Sequence, residues 1–492
     1  MMEKSIIIGL DIGTTSVKAV AFSRGGRVIG EQEIAYPLST PFPGWAEQDP
    51  LEIEAATITV IRNLIQLPTI DEKNILAIGL STAMHSLICM AENGEPLSPS
   101  ITWADGRASL QANRLRVEHN HIYDLTGTPI HPMSPLVKLI WMKENNYLPY
   151  QQASYFVSIK EFILYRWFGC QSVDYAVASA TGLLDLHHLK WNKEALELAG
   201  VSEAQLFKPV SPTEVLVDLD KTIADQIGLP VHIPFVIGSS DGPLANIGLG
   251  AINPGEVAIT IGTSGAIRQI VTEPKSDSLQ QTFCYGITES LSLIGGPTNN
   301  GGIVLQWLKE TLDIKETYEE LISVAEKAEP GAEGLLFLPY LNGERAPIWN
   351  ANVRASLFGL SLRHKKEHIV RAGLEGVIYS VFHVGQALER LAGKPTTLLA
   401  SGGFGRSPLW LQITADVFNQ EVQVPISHQS SAWGAAWMAL FAIGEVTDLA
   451  SIKQAIPMQE NYMPNPDHHK IYMDLFKLYQ ELSHTTHSIY MK

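Results

Sequence analysis

Gly9 to Val20 reads GLDIGTTSVKAV, and Ala258 to Ile270 reads AITIGTSGAIRQI. Each is an apolar run, the tripeptide Ile-Gly-Thr, a small hydroxyl residue and a second apolar run. The pattern predicts one β-hairpin written twice, opening two domains of a single ancestral plan. Glycine lets the backbone approach a phosphate, and successive N–H groups around such a turn form an anion nest. One such hairpin alone reads equally well as an ordinary turn. Its repetition at matching places points to two turns facing one cleft. The copies differ in charge: Asp11 precedes Ile-Gly in the first, and Thr260 in the second. A nucleotide needs its phosphates neutralised, usually by magnesium, which takes oxygen ligands and keeps several waters. One hairpin can supply that carboxylate, Asp11, through water, whereas a second carboxylate would repel the phosphate. From the residue alone, Asp11 also suits a turn-stabilising side chain.

At 492 residues the chain exceeds a single core and suggests about three domains, or two large ones. A net charge of −16 argues against nucleic acid as a partner. Cys89, Cys170 and Cys284 are widely spaced and form neither a zinc pattern nor a disulfide framework, which fits a reducing cytosol. The apolar stretch Ile6 to Leu10 is too short for a signal-peptide core, and no window approaches a membrane span. The expectation is a cytoplasmic protein without a membrane partner.

Residues 5–36 read as a three-stranded meander, followed by a helix from Glu47–Asp49 through Arg62 and a buried strand, ILAIGLST. SLICMAENGEPL reads as a strand and hairpin. Residues 133–168 and 194–228 read as helical, and IPFVIGSSDG as a buried strand ending in a polar turn. After residue 248 the meander restarts, with strands at 257–262, 265–271 and 291–295 and a helix at 302–312. A long helix at 364–391, the strand TTLLASGG, a helix at 407–419, the strand EVQVPIS and a small-residue helix, SAWGAAWMALFAIG, follow. These readings predict an N-terminal domain at 1–248, a C-terminal domain at 249–445 and a helical tail at 446–492.

The hairpins resemble those of the actin-like ATPase superfamily, and two longer motifs narrow the resemblance. MSPLVKLIWMKEN (Met133–Asn145) and ASLFGLSLRHKKEHIVRAGLE (Ala355–Glu375) are similar to the two signatures of the FGGY carbohydrate kinases. One departure is Gly373, which stands where a larger or hydroxyl residue is usual and costs a helix about 1 kcal/mol. The resemblance covers nearly the whole chain. It implies an α/β fold of two actin-like (ribonuclease H-like) domains with the active site in the cleft between them, ATP and Mg2+ as cofactors, and a homodimer. Within the family, STAMHSLICM, ITWADGR, TGTPIHPMSPL, IGTSGAIR, GGPTNNGGIVLQW and GERAPIWN resemble the gluconate-phosphorylating members. The implied reaction is ATP-dependent phosphorylation of gluconate to 6-phosphogluconate. Another sugar kinase of the family, such as one for xylulose, is the enzyme alternative. A non-catalytic actin-like ATP-binding protein is the alternative from another class.

By that resemblance, Asp241 is the catalytic base; by its residues alone it could equally be a helix N-cap. Met84, His85, Trp103, Asp105, Arg107 and His131 are implied sugar contacts. A lone histidine is more often structural, and Asp105 with Arg107 also suits an ordinary ion pair in a turn. Gly13, Thr14, Thr15 and Lys18 of the first hairpin are implied to approach the terminal phosphates, although Lys18 reads equally as a solvated strand residue. Gly262, Thr263 and Ser264 meet the phosphates, and Gly302, Gln306, Gly402, Gly403 and Ser407 complete the nucleotide side. Each glycine could instead simply end a helix or strand. Asp11 is the metal candidate. A carboxylate on the substrate calls for cationic or strong donor groups, for which His85, Arg107, His131, Lys160 and Arg345 are candidates, His131 being held between Pro129 and Pro132.

Overall fold

In the computed structural model, which describes residues 5–314, 317–426 and 429–490, the repeated hairpins lie in two separate sheets. The first sheet holds β1 (Ile6–Ile12), β2 (Ser16–Ser23), β3 (Val28–Ala35), β4 (Ile75–Thr82), β5 (Val215–Leu216) and β6 (Phe235–Ser240). Their order is β5-β6-β4-β1-β2-β3. The central strands β1, β4 and β6 run parallel and are buried along nearly their whole length. That is why their sequences are continuous apolar runs and do not alternate.

The second sheet holds β7 (Glu256–Ile261), β8 (Gly265–Val271), β9 (Phe283–Thr288), β10 (Leu291–Thr298), β11 (Thr397–Ser401), β12 (Val422–Pro425) and β13 (Met458–Tyr462), in the order β9-β10-β8-β7-β11-β12-β13. Strands β3-β2-β1-β4-β6 of the first sheet therefore correspond to β10-β8-β7-β11-β12 of the second. The correspondence extends to single residues. Asp11 pairs in register with Ser81 across β1 and β4, and Thr260 with Ser401 across β7 and β11.

The helices that place the site are α1 (Pro50–Ile65), α2 (Ser109–Glu118), α3 (Ile122–Thr126), α4 (Pro135–Glu144), α5 (Ile159–Phe168), α6 (Lys193–Ala199), α7 (Asp241–Gly248), α8 (Ile303–Thr311), α9 (Lys366–Ala392), α10 (Pro408–Phe418), α11 (Ser430–Ala442) and α12 (Pro466–Tyr490). Helix α11 comes from the second half of the chain but lies on β1, β4 and α7. Its small residues allow that approach. A Cβ on Gly9 would fall 1.9 Å from the Ala432 carbonyl oxygen, and one on Gly434 would fall 2.0 Å from that of Leu244. Gly373 has a similar explanation, since a Cβ there would fall 2.4 Å from Leu308 Cδ1 of α8.

Three expectations are corrected. Residues 133–168 are not continuously helical: α4 stops at Asn145–Asn146, where Asn146 has φ 50°, and Tyr155–Val157 forms a strand against Ile88–Met90. Residues 194–228 likewise break after Gly200, whose left-handed backbone ends α6, and Lys208–Val210 and β5 are strands. Residues 446–490 are not a tail, and 491–492 lie outside the described residues. Strand β13 joins the second sheet, and α12 buries Tyr472, Phe476 and Tyr479, one apolar stripe, in the core beside Tyr379 and Phe382.

Candidate active site

The two hairpins and the end of β6 converge on one cavity of about 350 Å3, within the range of small-molecule sites. Asp11, Ser81 and Thr82 end adjacent parallel strands, and Ser239 and Ser240 end the next. Ser81 Oγ donates to Asp11 Oδ1 at 2.7 Å. Burial, aided by the charge of Asp241, raises the Asp11 pKa to about 6 against the opposing Ser81 hydrogen bond. In the second hairpin the equivalent pair, Thr260 and Ser401, is neutral, with the two hydroxyls 2.9 Å apart. Asp241 is the first residue of α7, and its Oδ1 accepts the Gly242 N–H at 2.7 Å. Burial raises its pKa, while Arg268, Arg345 and Lys160 oppose that shift.

The cavity brings Asp241 together with Thr14, Met84, His85, Trp103, Gly262, Thr263 and Ser264. It also exposes residues that the sequence reading passed over: Met133, Arg268, Phe283 and Tyr285. His85 has a left-handed backbone, φ 65°. Its Nδ1 lies 2.7 Å from the Ala180 carbonyl, which can only accept, so Nδ1 carries the proton. Burial lowers the ring pKa to about 3. The neutral ring therefore presents Nε2 as an acceptor, 3.4 Å from the Tyr285 hydroxyl, suited to a substrate hydroxyl but not to a carboxylate.

Two guanidiniums reach the same cavity. Arg268, on β8, lies beside Asp241 with its Nη1 buried. Arg345 lies 4.8 Å from the Trp103 ring centroid and donates to the Thr298 carbonyl at 3.2 Å. Burial lowers its pKa to about 10, so it stays charged near neutrality. Arg268 Nη1 and Arg345 Nε have no hydrogen-bond partner among the described residues.

Lys138, from the first signature motif, is buried behind this wall at 0% exposure. Its ammonium donates to the carbonyls of His85, Ile101 and Thr102 at 2.6, 3.2 and 2.8 Å. It thus fixes the two chain segments that carry His85 and Trp103.

Several expected contacts are committed elsewhere. Asp105 accepts from the Ala46 N–H and from Arg107. Arg107 also pairs with Glu47 at 2.6 Å and stacks 3.6 Å from the Trp45 ring centroid. Both form a buried strut behind the sugar wall and do not line the cavity. Lys160 is bound to Asp174 and to the Ile237 and Ser239 carbonyls, so it supports β6 and is not free for a ligand. His131 is likewise not in the cavity lining: its Nδ1 accepts the Met133 N–H, and its ring packs edge-on against Trp349. Lys18 pairs with Glu33 at 3.3 Å while lying across from Asp11.

On the nucleotide side, α8 begins against the second hairpin, with the Gly302 N–H donating to the Gly262 carbonyl at 2.7 Å. A Cβ on Gly302 would fall 2.9 Å from that oxygen. The helix start is thereby aimed at the Gly262–Ser264 turn, where its dipole favours an anion. Gln306, one turn on, holds Glu310 at 3.0 Å. In the first hairpin the Gly13 carbonyl accepts from Tyr36, and the Thr14 hydroxyl from Trp103 at 2.8 Å; the Thr15 carbonyl accepts from the Tyr36 N–H. A second cavity is lined by Thr260, Ser401, Gly402 and Gly403. Gly402 has φ +88°, and a Cβ there would fall 2.5 Å from the Ile261 carbonyl oxygen. Ser407 Oγ accepts the Trp410 N–H at 3.2 Å and caps α10, which leaves its O–H as a donor.

Residues 6–248 match the N-terminal domain model, and residues 257–443 the C-terminal domain model, of the FGGY family of carbohydrate kinases. The Bacillus subtilis gluconokinase is 44% identical, the match covering 97% of this chain and 96% of that protein. The solved gluconate kinase from Lactobacillus acidophilus superposes with a TM-score of 0.95 at 38% identity, covering 99% of each chain. A ligand-bound xylulose kinase from the same organism superposes with a TM-score of 0.96, also at 38% identity and 99% coverage of each. With both domain models matched across most of its length, the chain belongs to the FGGY family of carbohydrate kinases.

Proposed function

We propose that this kinase transfers the terminal phosphoryl group of ATP to the 6-hydroxyl of gluconate, giving 6-phosphogluconate and ADP. The observation that carries the aldonate is the pair Arg268 and Arg345. Two partly buried arginines, whose buried Arg268 Nη1 and Arg345 Nε have no hydrogen-bond partner among the described residues, line the cavity that holds Asp241. A neutral polyol answers those donors only with neutral hydrogen bonds, whereas a carboxylate answers them with stronger, charge-assisted ones. The resemblance to gluconokinases supports the same reading.

Asp241 is the group placed to orient the attacking hydroxyl and accept its proton, forming a carboxylic acid as the oxygen bonds to phosphorus and the bridging P–O bond to ADP breaks. Neutral His85 accepts a second hydroxyl through Nε2, and Trp103 closes one wall. The Thr14–Thr15 and Thr263–Ser264 N–H groups serve the phosphates, the Gly13 and Gly262 N–H groups being donated to the Ser16 and Ser264 carbonyls within the turns. The donor set near Asp11 consists of hard oxygens, and the buried hydroxyls of Thr82, Ser239 and Ser240 at the neighbouring strand ends have no hydrogen-bond partner among the described residues. That fits Mg2+, which Asp11 and Asp241 would hold, and which when bound neutralises phosphate charge. Phosphorylation of xylulose is the second reading, favoured by the equal likeness to the xylulose kinase.

The test compares gluconate with glucitol, its neutral alcohol counterpart. Charge-assisted hydrogen bonds are worth roughly 1.5–3 kcal/mol each, so gluconate should lead in kcat/KM by at least about tenfold. Arg345→Met and Arg268→Met should shrink that ratio and leave the KM for ATP close to the parent value. Equal use of the two compounds by the parent enzyme would refute the carboxylate assignment.

A further inference from the structure

The corner between α2 and α3 carries His119 and His121, and the first turn of α6 carries Glu194. One ligand-capable atom from each of the three residues lies within 4.8 Å of the other two. His121 Nε2 is 2.7 Å from Glu194 Oε1, and the two imidazole centroids are 6.0 Å apart. The side chains of His121 and Glu194 are 50% and 44% exposed, which leaves them open to an ion from solvent.

The three backbones are fixed before any ion arrives. The His119 N–H donates to the Leu115 carbonyl, and the His121 carbonyl accepts from Asp124. Asn192 caps α6 through the Ala195 N–H, setting the direction of Glu194. Only the side-chain torsions remain to be ordered, which keeps the entropic cost of binding low.

We propose that His119, His121 and Glu194 form a zinc site on the outer face of the N-terminal half, apart from the phosphoryl-transfer cavity. Two imidazole nitrogens and one carboxylate oxygen form a donor set that suits Zn2+ and disfavours Mg2+ or Ca2+. Three protein ligands leave one tetrahedral position for water. As a bare ion pair, His121 and Glu194 contribute little at this exposure. A shared ion instead ties the α2–α3 corner to α6, which lies far along the chain.

The corner also touches the other half of the molecule. Asn120, between the two histidines, accepts from Gln280 Nε2 at 3.1 Å, and Tyr123 donates to the Thr282 carbonyl at 2.8 Å. Zinc therefore stiffens the place where the N-terminal half meets the loop leading into β9.

The experiment uses the full-length, tag-free protein, stripped with chelator and titrated with ZnCl2 by calorimetry, with melting temperature as a second readout. One equivalent should bind with a Kd near or below about 10 µM. His121→Ala and Glu194→Gln should each weaken that event by at least about tenfold and abolish the rise in melting temperature. His188→Ala, at another exposed histidine–carboxylate pair, should change neither. Absence of binding at about 100 µM Zn2+, or binding unchanged in both variants, would overturn the assignment; so would binding lost equally in His188→Ala.

Discussion

Lys138→Met removes one ammonium and strands three buried carbonyls, those of His85, Ile101 and Thr102. The lysine is 0% exposed, so water cannot replace it without opening the wall. Each orphaned buried polar group costs about 1–3 kcal/mol, and methionine restores most of the lost volume. Taking the low end for all three gives about 3 kcal/mol. At about 2–4 °C per kcal/mol for a domain of this size, the melting temperature should fall by roughly 6–12 °C. The functional effect should be selective, because the three carbonyls lie on the segments that position His85 and Trp103. The KM for the sugar substrate should rise by at least about tenfold, equivalent to 1.4 kcal/mol of misplacement. The KM for ATP should stay within about twofold. Differential scanning fluorimetry and a coupled ADP-release assay measure both quantities. A variant that melts within 2 °C of the parent, with an unchanged sugar KM, would refute the claim that Lys138 holds the sugar wall.

Asp11 supplies a prediction about pH. Its folded pKa, about 6, lies above the ordinary carboxylate value of 3.8. The folded metal-free protein thus keeps a proton that the unfolded chain releases, and stability falls as pH rises from about 4 through 6. Asp11→Asn should therefore raise the metal-free melting temperature at pH 8, leave it nearly unchanged at about pH 4, and lower Mg2+-supported turnover. Melts at the two pH values and a magnesium titration check this. Gly402→Ala places a Cβ 2.5 Å from the Ile261 carbonyl oxygen in a left-handed backbone. At about 1–2 kcal/mol for that conformation alone, the KM for ATP should rise about tenfold with the sugar KM little changed, as steady-state kinetics would report.

The features legible in the sequence were those with a local rule. Both hairpins were visible because Ile-Gly-Thr repeats between apolar runs, and β4 and β6 because parallel buried strands are unbroken apolar stretches. Asp241 was visible as a carboxylate following such a run. The misreadings share a different cause: partners distant in the chain. Asp105 and Arg107 look like cleft residues in TWADGR until Glu47 and Trp45 claim them. Lys160 looks like a free cation until Asp174 folds beside it. Arg268 was missed although a signal was present. An arginine within the run AIRQI must find an anion when the strand is buried, or wait for one from a ligand. Tyr285 was missed with its strand, β9, because Gly286 and burial on both faces erase the alternation that marks an exposed strand. The last 47 residues looked like a tail because the aromatic stripe of α12 finds its partners, Tyr340 and Tyr379, far back in the chain.

The most direct test of the central claim measures ADP release by the parent enzyme and by Asp241→Asn with gluconate, xylulose, glycerol, ribulose and fuculose, and identifies the product by mass and phosphorus NMR. The account predicts the highest kcat/KM with gluconate and a single product phosphorylated at the 6-hydroxyl. It also predicts a loss of about 10²-fold or more in kcat for Asp241→Asn, with ATP binding retained. A higher kcat/KM with xylulose than with gluconate, or near-parental turnover by a correctly folded Asp241→Asn protein, would contradict it.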